Sequence, residues 1–325
     1  MMAKQGTAAA EDRIGIGISS CLLGEEVRFD GGHKRDRFLT DTLGPLVEWV
    51  PVCPEVEAGF GTPREAMRLV GEDGRLRLVT VRTAVDLTDR LDRYAARRVG
   101  ELAHEGLSGY VLKKDSPSCG MERVKVYGTA GVPARSGRGL FAAALLDRFP
   151  FLPVEEEGRL SDPVLRDNFI ERVFAYRRLQ RLFAGRWTVG QLVRFHTAHK
   201  LTLMAHAEKT YRSLGPLVSR AKALPRASVK DQYTEGFMTA LAAIATRRRH
   251  TNVLQHVAGY FKTTLDSADR RELHGAIDDY RRGLVPLVVP ITLIRHYVRR
   301  HDVAYLEGQT YLEPHPKELM LRNHV

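Results

Sequence analysis

Apolar and polar positions follow two different periods along the chain. In the first half, short β-rich runs dominate: "RIGIGISS" near 14 to 20, "LVEWVPV" at 46 to 52, "RLRLVTV" at 75 to 81, "LSGYVLKK" at 107 to 114 and "RVKVYG" at 123 to 128. Each is bounded by polar or turn-forming residues and reads as a strand. Between them, "LTDRLDRYAARRVGELAHEG" (87 to 106) places Leu91, Tyr94, Ala95, Val99 and Leu102 at helical spacing and ends on Gly106 as a candidate C-cap. Strands alternating with helices predict an α/β domain built on a mainly parallel sheet.

After residue 160 the period lengthens. "VLRDNFIERVFAYRRLQRLF", "VGQLVRFHTAHKLTLMAHAEKTYRSLG", "ASVKDQYTEGFMTALAAIATRRRH" and "ITLIRHYVRRH" all carry helical spacing, so the second half is expected to be all-α. The acidic stretch "LPVEEEGRLSDP" (152 to 163) separates the two patterns and reads as a linker. Ser161 or Asp162 caps, and Pro163 opens, the helix that follows. The predicted organisation is a disordered start at 1–12, an α/β domain at 13–155 and an all-α basic domain at 156–325.

Charge sharpens this division. The chain of 325 residues carries a formal net charge of +11. Residues 1 to 160 hold 23 Lys and Arg against 24 Asp and Glu, whereas residues 161 to 325 hold 27 against 15. The second half also has ten of the twelve histidines. Such asymmetry predicts an anionic macromolecule bound by the helical half, a solvated basic surface being the plainer alternative. No apolar run reaches the ~18 residues that span a bilayer, and the first dozen residues lack a secretory pattern, so a cytoplasmic protein with no membrane partner is expected. Nothing implies an obligate protein partner.

Three cysteines remain for a reducing compartment: Cys21 in "SSCLLG", Cys53 in "PVCPEVEAGF" and Cys119 in "SPSCGME". All lie past predicted strand ends, where open α/β sheets gather ligands. Their spacings of 32 and 66 residues match no local zinc or cluster motif. If the strand ends converge, three thiolates could hold a 4Fe–4S cluster with one iron open; a zinc with three thiolates and a water, or a reactive lone thiol, are the rivals. Glu55, two residues after Cys53, is a candidate general base. Ser116 and Ser118 could stabilise developing charge, while Arg28 and Asp30 in "VRFDGGHKR" could hold a base or a phosphate.

The segments "SSCLLGEEVRFDGG", "CPEVEAGFGTPRE" and "KKDSPSCG" resemble, in order, the signature segments of the thiouracil desulfidase family over roughly residues 14 to 155. The resemblance implies an enzyme whose 4Fe–4S cluster is held by Cys21, Cys53 and Cys119 and whose free iron takes the sulfur of a thiolated pyrimidine. It makes Glu55 the acid/base and Ser116 the polar helper. The second half is similar to the helical domain often fused to such enzymes, through "FHTAHKLTLMAHAEKTYRSLG", "NVLQHVAGYFK", "YRRGLVPLVVPITLIRHY" and "YLEGQTYLEPHPKELMLR". Together the halves resemble tRNA 4-thiouridine desulfidases, which implies tRNA as partner and uridine and sulfide as products. An iron–sulfur RNA-binding sensor without catalysis, a desulfidase of free thiolated bases or nucleotides, and a zinc hydrolase are the alternatives.

RNA contacts are expected on two stretches. On one continuous helix from 189 to 214, His196, His199 and His206 would fall within about 80° of arc. That face offers His199, Lys200, His206, Tyr211 and Arg212 to RNA, with packing inside the bundle or a metal as competing roles. The run "TRRRH" adds Arg247, Arg248 and Arg249.

Overall fold

The computed structural model describes residues 14–72, 75–128 and 132–325, so the start expected to be disordered lies outside the described residues. The chain divides into two units, Met1–Ser161 and Asp162–Val325. No described helix is long and apolar enough to cross a membrane.

The first unit holds two four-stranded sheets. One is wholly parallel, with order β2-β1-β5-β8, and is formed by β1 (Ile14–Ser19), β2 (Val47–Val52), β5 (Gly109–Leu112) and β8 (Val154–Glu156). Away from the edge strand β2 its strands are buried, as parallel strands require, with all four residues of β5 inside. The close stack explains one glycine. A Cβ on Gly17 would stand 2.2 Å from the Tyr110 ring, which fills the space above β1.

The second sheet, of order β4-β3-β6-β7, is mixed and comprises β3 (Met67–Glu72), β4 (Arg75–Thr80), β6 (Val124–Tyr127) and β7 (Pro133–Gly137). Two of the five predicted strands, 75 to 81 and 123 to 128, therefore belong here rather than to the parallel sheet. Among the described residues the α-helices of this unit are α1 (Pro54–Glu57), α2 (Thr88–Leu102) and α3 (Leu140–Arg148). All five periodic residues of α2 are buried as expected, although the helix stops at Leu102 and Gly106, with φ of 63°, lies in the following turn.

The stretch expected to be a linker contains β8. Its carboxylates are not solvated: Glu155 pairs with Arg159 at 2.6 Å, Glu156 accepts the Met121 N–H at 2.8 Å, and Glu157 binds Lys113 Nζ at 2.5 Å. Local partners outweigh the solvation that an acidic run suggests, and the boundary moves to Ser161–Asp162. There Asp162 caps α4 through the N–H groups of Val164 and Leu165, with Pro163 in the first turn.

The second unit is helical: α4 (Pro163–Phe183), α5 (Val189–Ala198), α6 (Lys200–Arg220), α7 (Arg226–Ala242), α8 (Arg247–Ala258), α9 (Ser267–Arg282), α10 (Val288–Arg300) and α11 (Ala304–Glu307). The helix expected over 189 to 214 is two, joined at His199, and Ala207 interrupts the second with φ −153° and ψ 82°. The stretch 227 to 250 also divides, because Ala243 is extended and Thr246 caps a new helix through the Arg249 N–H. Leu201, Leu254, Phe261, Ile277 and Leu287 belong to the core that holds α6, α8, α9 and α10 together.

Candidate thiol centre in the first unit

The parallel register sets the site. Ser19 is level with Val52, and Ile18 with Val111, so β1, β2 and β5 end side by side. The chain steps from β1 to β2 on one side and later adds β5 on the other, which opens a crevice beyond the strand ends at the reversal. Cys21 follows β1, Cys53 follows β2, and Cys119 lies in the loop after β5. All three border one cavity of about 350 Å³. Sequence separations that looked uninformative are thus resolved by strand order.

Backbone packing places Cys119. The Ser116 hydroxyl accepts the N–H groups of Ser118 at 3.2 Å and Cys119 at 3.0 Å, closing the turn. A Cβ on Gly139 would stand 2.4 Å from the Ser118 carbonyl oxygen, so only glycine lets the entry to α3 approach this loop. On the opposite side, the Cys53 N–H donates to Glu57 Oε1 at 2.7 Å, while Glu57 Oε2 accepts from the Tyr94 hydroxyl at 2.7 Å.

The thiols are unpaired and desolvated; Cys21 is 8% and Cys119 6% exposed. Burial pushes Cys21 up to about 11, partly offset by the Lys113 charge and reinforced by Cys53. Burial also raises Cys53, and it raises Cys119 well above the ordinary thiol range, where Glu55 adds to the effect and a Ser19 hydrogen bond opposes it. Such thiols become thiolates when a cation arrives among them, which is how metal ligands are drawn out of the protonated state. Among the described residues, no group of three or more His, Cys, Asp or Glu side chains is placed to hold a metal ion. Three thiols delivered by neighbouring strand ends are the donor chemistry that an iron–sulfur cluster takes.

Glu55 borders the same cavity and is fixed from two sides. Ser118 donates to Oε1 at 2.9 Å, and Arg64 grips Oε2 through Nε at 3.0 Å and through a second, shorter bond. Arg64 also donates to the carbonyls of Val27 and Gly61, both at 2.9 Å, tying the carboxylate to two loops. The two serines divide the work. Ser118 is fully buried and holds Glu55, whereas Ser116 borders the cavity with its Oγ 3.5 Å from Glu55 Oε1.

Arg28 borders the cavity, but Asp30 does not: it is exposed, pairs with Arg28 at 3.4 Å and accepts the Gly32 N–H at 3.1 Å. It closes the turn after Arg28 and lies outside the cavity lining. Sequence reading missed Arg64, Glu57 and Lys113 as parts of the centre. An arginine in the Gly-Pro loop nine residues after a candidate base was the available signal for Arg64.

On the histidine face of the second unit, His199 and His206 lie inside rather than on the surface. His199 and His206 are each 2% exposed. His199 bonds the Phe195 carbonyl at 2.8 Å and stacks on that ring at 4.0 Å, and His206 bridges the Ala243 carbonyl at 2.6 Å and Glu171 at 3.3 Å. Neither is available to RNA. Tyr211 stacks on His196 at 5.3 Å, Lys200 lies 5.7 Å over Tyr305, and exposed Arg212 pairs with Glu208 at 2.6 Å. Arg247, Arg248 and Arg249 are all exposed, with Arg249 also donating to the His206 carbonyl at 2.7 Å.

Fold and site define a two-unit protein: an α/β unit with a three-thiol centre and a basic helical unit. The 2-thiouracil desulfurase family matches residues 16–157, and the protein of unknown function family DUF1722 matches residues 200–316. The uncharacterized protein YbgA of Escherichia coli (strain K12) is 39% identical over 158 residues, covering 48% of this chain and 94% of YbgA. The uncharacterized protein YbbK of Bacillus subtilis (strain 168) is 34% identical over 137 residues, 39% of this chain and 87% of YbbK. A solved structure, the 4Fe–4S-dependent thiouracil desulfidase TudS, shares 34% identity, with a TM-score of 0.38, covering 46% of this chain and 94% of that one. The chain belongs to the 2-thiouracil desulfurase family, with a DUF1722 domain as its second half.

Proposed function

We propose that the first unit is an iron–sulfur desulfidase acting on thiolated uracil, that 4-thiouridine in tRNA is its substrate, and that the second unit grips the RNA. The observation that carries this reading is the convergence of Cys21, Cys53 and Cys119 from neighbouring strand ends on a cavity that also holds a clamped Glu55. These three cysteines would hold a 4Fe–4S cluster. When bound, it supplies a Lewis-acidic iron with an open position for a thiocarbonyl sulfur.

The protein's own groups then divide the remaining chemistry. Arg64 fills Glu55 Oε2 with two donors while Ser118 gives Oε1 one, so Oε1 keeps a lone pair for the proton of water adding at the ring carbon. Ser116 already accepts two N–H groups, which leaves its own O–H to donate toward Glu55 or the substrate. Water enters, sulfide leaves and the carbonyl forms, with no net change in oxidation state.

The RNA part rests on the basic excess of residues 161 to 325 and on where its arginines stand. Arg247, Arg248 and Arg249 fill the first turn of α8, against the helix dipole, and no acidic residue lies there. Tertiary contacts use two of them, Arg247 over the Tyr280 ring at 5.8 Å and Arg249 on the His206 carbonyl, but the helix itself gains nothing from three cations there, whereas a bound phosphate would. Arg247, Arg248 and Arg281, with Asn252 and Gln255, line a groove of about 360 Å³. A base stacked in folded tRNA would leave its stack to reach the thiol centre.

A second reading, desulfurisation of free thiouracil, is favoured by the description of the matched family. The test is anaerobic purification followed by iron, sulfide and zinc analysis, then loss of 4-thiouridine from tRNA measured beside loss of free thiouracil. About four irons and four sulfides per chain and faster turnover of tRNA are expected. Zinc without iron overturns the chemistry, an intact cluster without turnover supports a sensor, and turnover of thiouracil alone transfers the assignment to the free base.

A further inference from the structure

A larger cavity, of about 570 Å³, lies wholly within the second unit and belongs to neither the thiol centre nor the arginine groove. Its size is within the range of small-molecule sites, about 300–1,000 Å³. It opens between α4, α10 and the segment from Leu312 to Asn323.

Two chemistries meet on its walls. Phe174, Ile291, Leu312 and Leu321 give an apolar surface. Arg178, Arg295, Lys317 and Arg322 give four cations, against one carboxylate, Glu313, which is spent on Arg295. Arg178 donates to the Pro314 carbonyl, which fixes its guanidinium and leaves the charge uncompensated by that contact.

Arg322 adds a buried positive charge to the same wall. It is 6% exposed, lies 5.1 Å over the Tyr311 ring, and donates from one Nη to the Tyr311 carbonyl at 2.5 Å. Its other Nη stands 3.6 Å from Glu171, which also serves His206, and neither that nitrogen nor Nε has a hydrogen-bond partner among the described residues. Both nitrogens are enclosed, so Arg322 lends the cavity wall positive charge, partly balanced by Glu171, whereas half-buried Arg178 and exposed Lys317 are the cations of that wall that open space reaches.

We propose that this cavity binds a small organic anion, one carboxylate or phosphate group on an apolar or aromatic body, with the anionic group met by Arg178 and Lys317, supported by the charge of Arg322, and the body seated on Phe174 and Ile291. The site is independent of the desulfidase reading and stands or falls without it.

Phenyl phosphate and phenylacetate are the probes, titrated by calorimetry into the full-length protein, with inorganic phosphate and phenol as partial ligands. One phenyl phosphate or phenylacetate per chain is expected, and the tighter of the two identifies the anionic group. Inorganic phosphate and phenol should each bind about tenfold or more weakly, the loss of one good set of contacts. Arg178→Gln combined with Lys317→Gln should weaken binding by about tenfold or more while leaving the circular dichroism unchanged. Thr292→Trp, at an exposed position on the rim, tests the same cavity by bulk without disturbing a buried bond and should block the probes. No saturable binding of either probe, equal binding by inorganic phosphate, or undiminished affinity in both variants overturns the proposal.

Discussion

Both units bury a carboxylate among cations, and the contrast between them separates a reactive centre from a structural one. Glu55 sits between Arg64 and Ser118 on the wall of a cavity of about 350 Å³. Glu171 sits between His206 and Arg322 beside a void of about 10 Å³. Burial pushes the Glu171 carboxyl up, but the His206 hydrogen bond and the charges of His206 and Arg322 overcome this and hold it well below the usual range. The residue types are alike. What differs is whether a substrate-sized space faces the carboxylate itself: strand ends open one onto Glu55, whereas Glu171 is packed among helices and only its partner Arg322 borders the larger cavity of the second unit.

The largest effect should break the first half of this contrast. Cys53→Ser is expected to abolish iron binding and all desulfidase activity, as measured by iron and sulfide content and by release of sulfide. Full iron occupancy in that variant would remove the thiol centre from the mechanism. Glu55→Ala should keep iron and lower turnover by about 10²–10⁴, the usual worth of a positioned acid/base. Arg64→Gln should keep iron as well and shift the pH profile of turnover, since it acts through Glu55; a pure loss of stability with an unmoved profile would make Arg64 a scaffold residue.

The site in the first unit was largely legible because its groups lie at element ends. Cysteines and an acid just past strand-like runs retain their meaning whichever helix covers the sheet, and only strand order was needed to bring 21, 53 and 119 together. The second unit was less legible at residue level. A helical period of 3.6 says that His199 and His206 share a face but not whether that face is inside, and the break at His199 with the interruption at Ala207 carries no period of its own. The acidic run 155–157 misled for a related reason: its partners, Met121, Lys113 and Arg159, are set by tertiary packing.

Glu171→Gln tests the other half of the contrast. Removing one partner of a buried ion pair typically costs 3–5 kcal/mol, roughly, so the unfolding transition of the second unit should fall by about that amount while iron content is unchanged. A shift under about 1 kcal/mol would mean the pair contributes little beyond an apolar substitute. A smaller effect comes from pH. Burial pushes His199 and His250 down to about 3, from an ordinary value of 6.5. The unfolded chain binds protons at these sites first, so stability is fully present above pH 6.5 and is lost as pH falls toward 3. At pH 5 the loss should be roughly 2 kcal/mol per histidine, read from denaturant midpoints at pH 5 and 7.

The smallest effect concerns the exposed arginines in the first turn of α8. Arg248→Ala leaves the first turn of α8 with one cation fewer at its N-terminus, so the helix itself should be unharmed or slightly stabilised. If the groove beside it follows an RNA backbone, the variant should weaken tRNA binding across sequences and reduce the slope of log affinity against log salt by about one phosphate contact. Turnover of free thiouracil should be untouched, because Arg248 is in the other unit. An unchanged salt slope, with tRNA still processed, would assign the basic excess of the second unit to solvation and leave substrate selection to the cavity at the thiol centre.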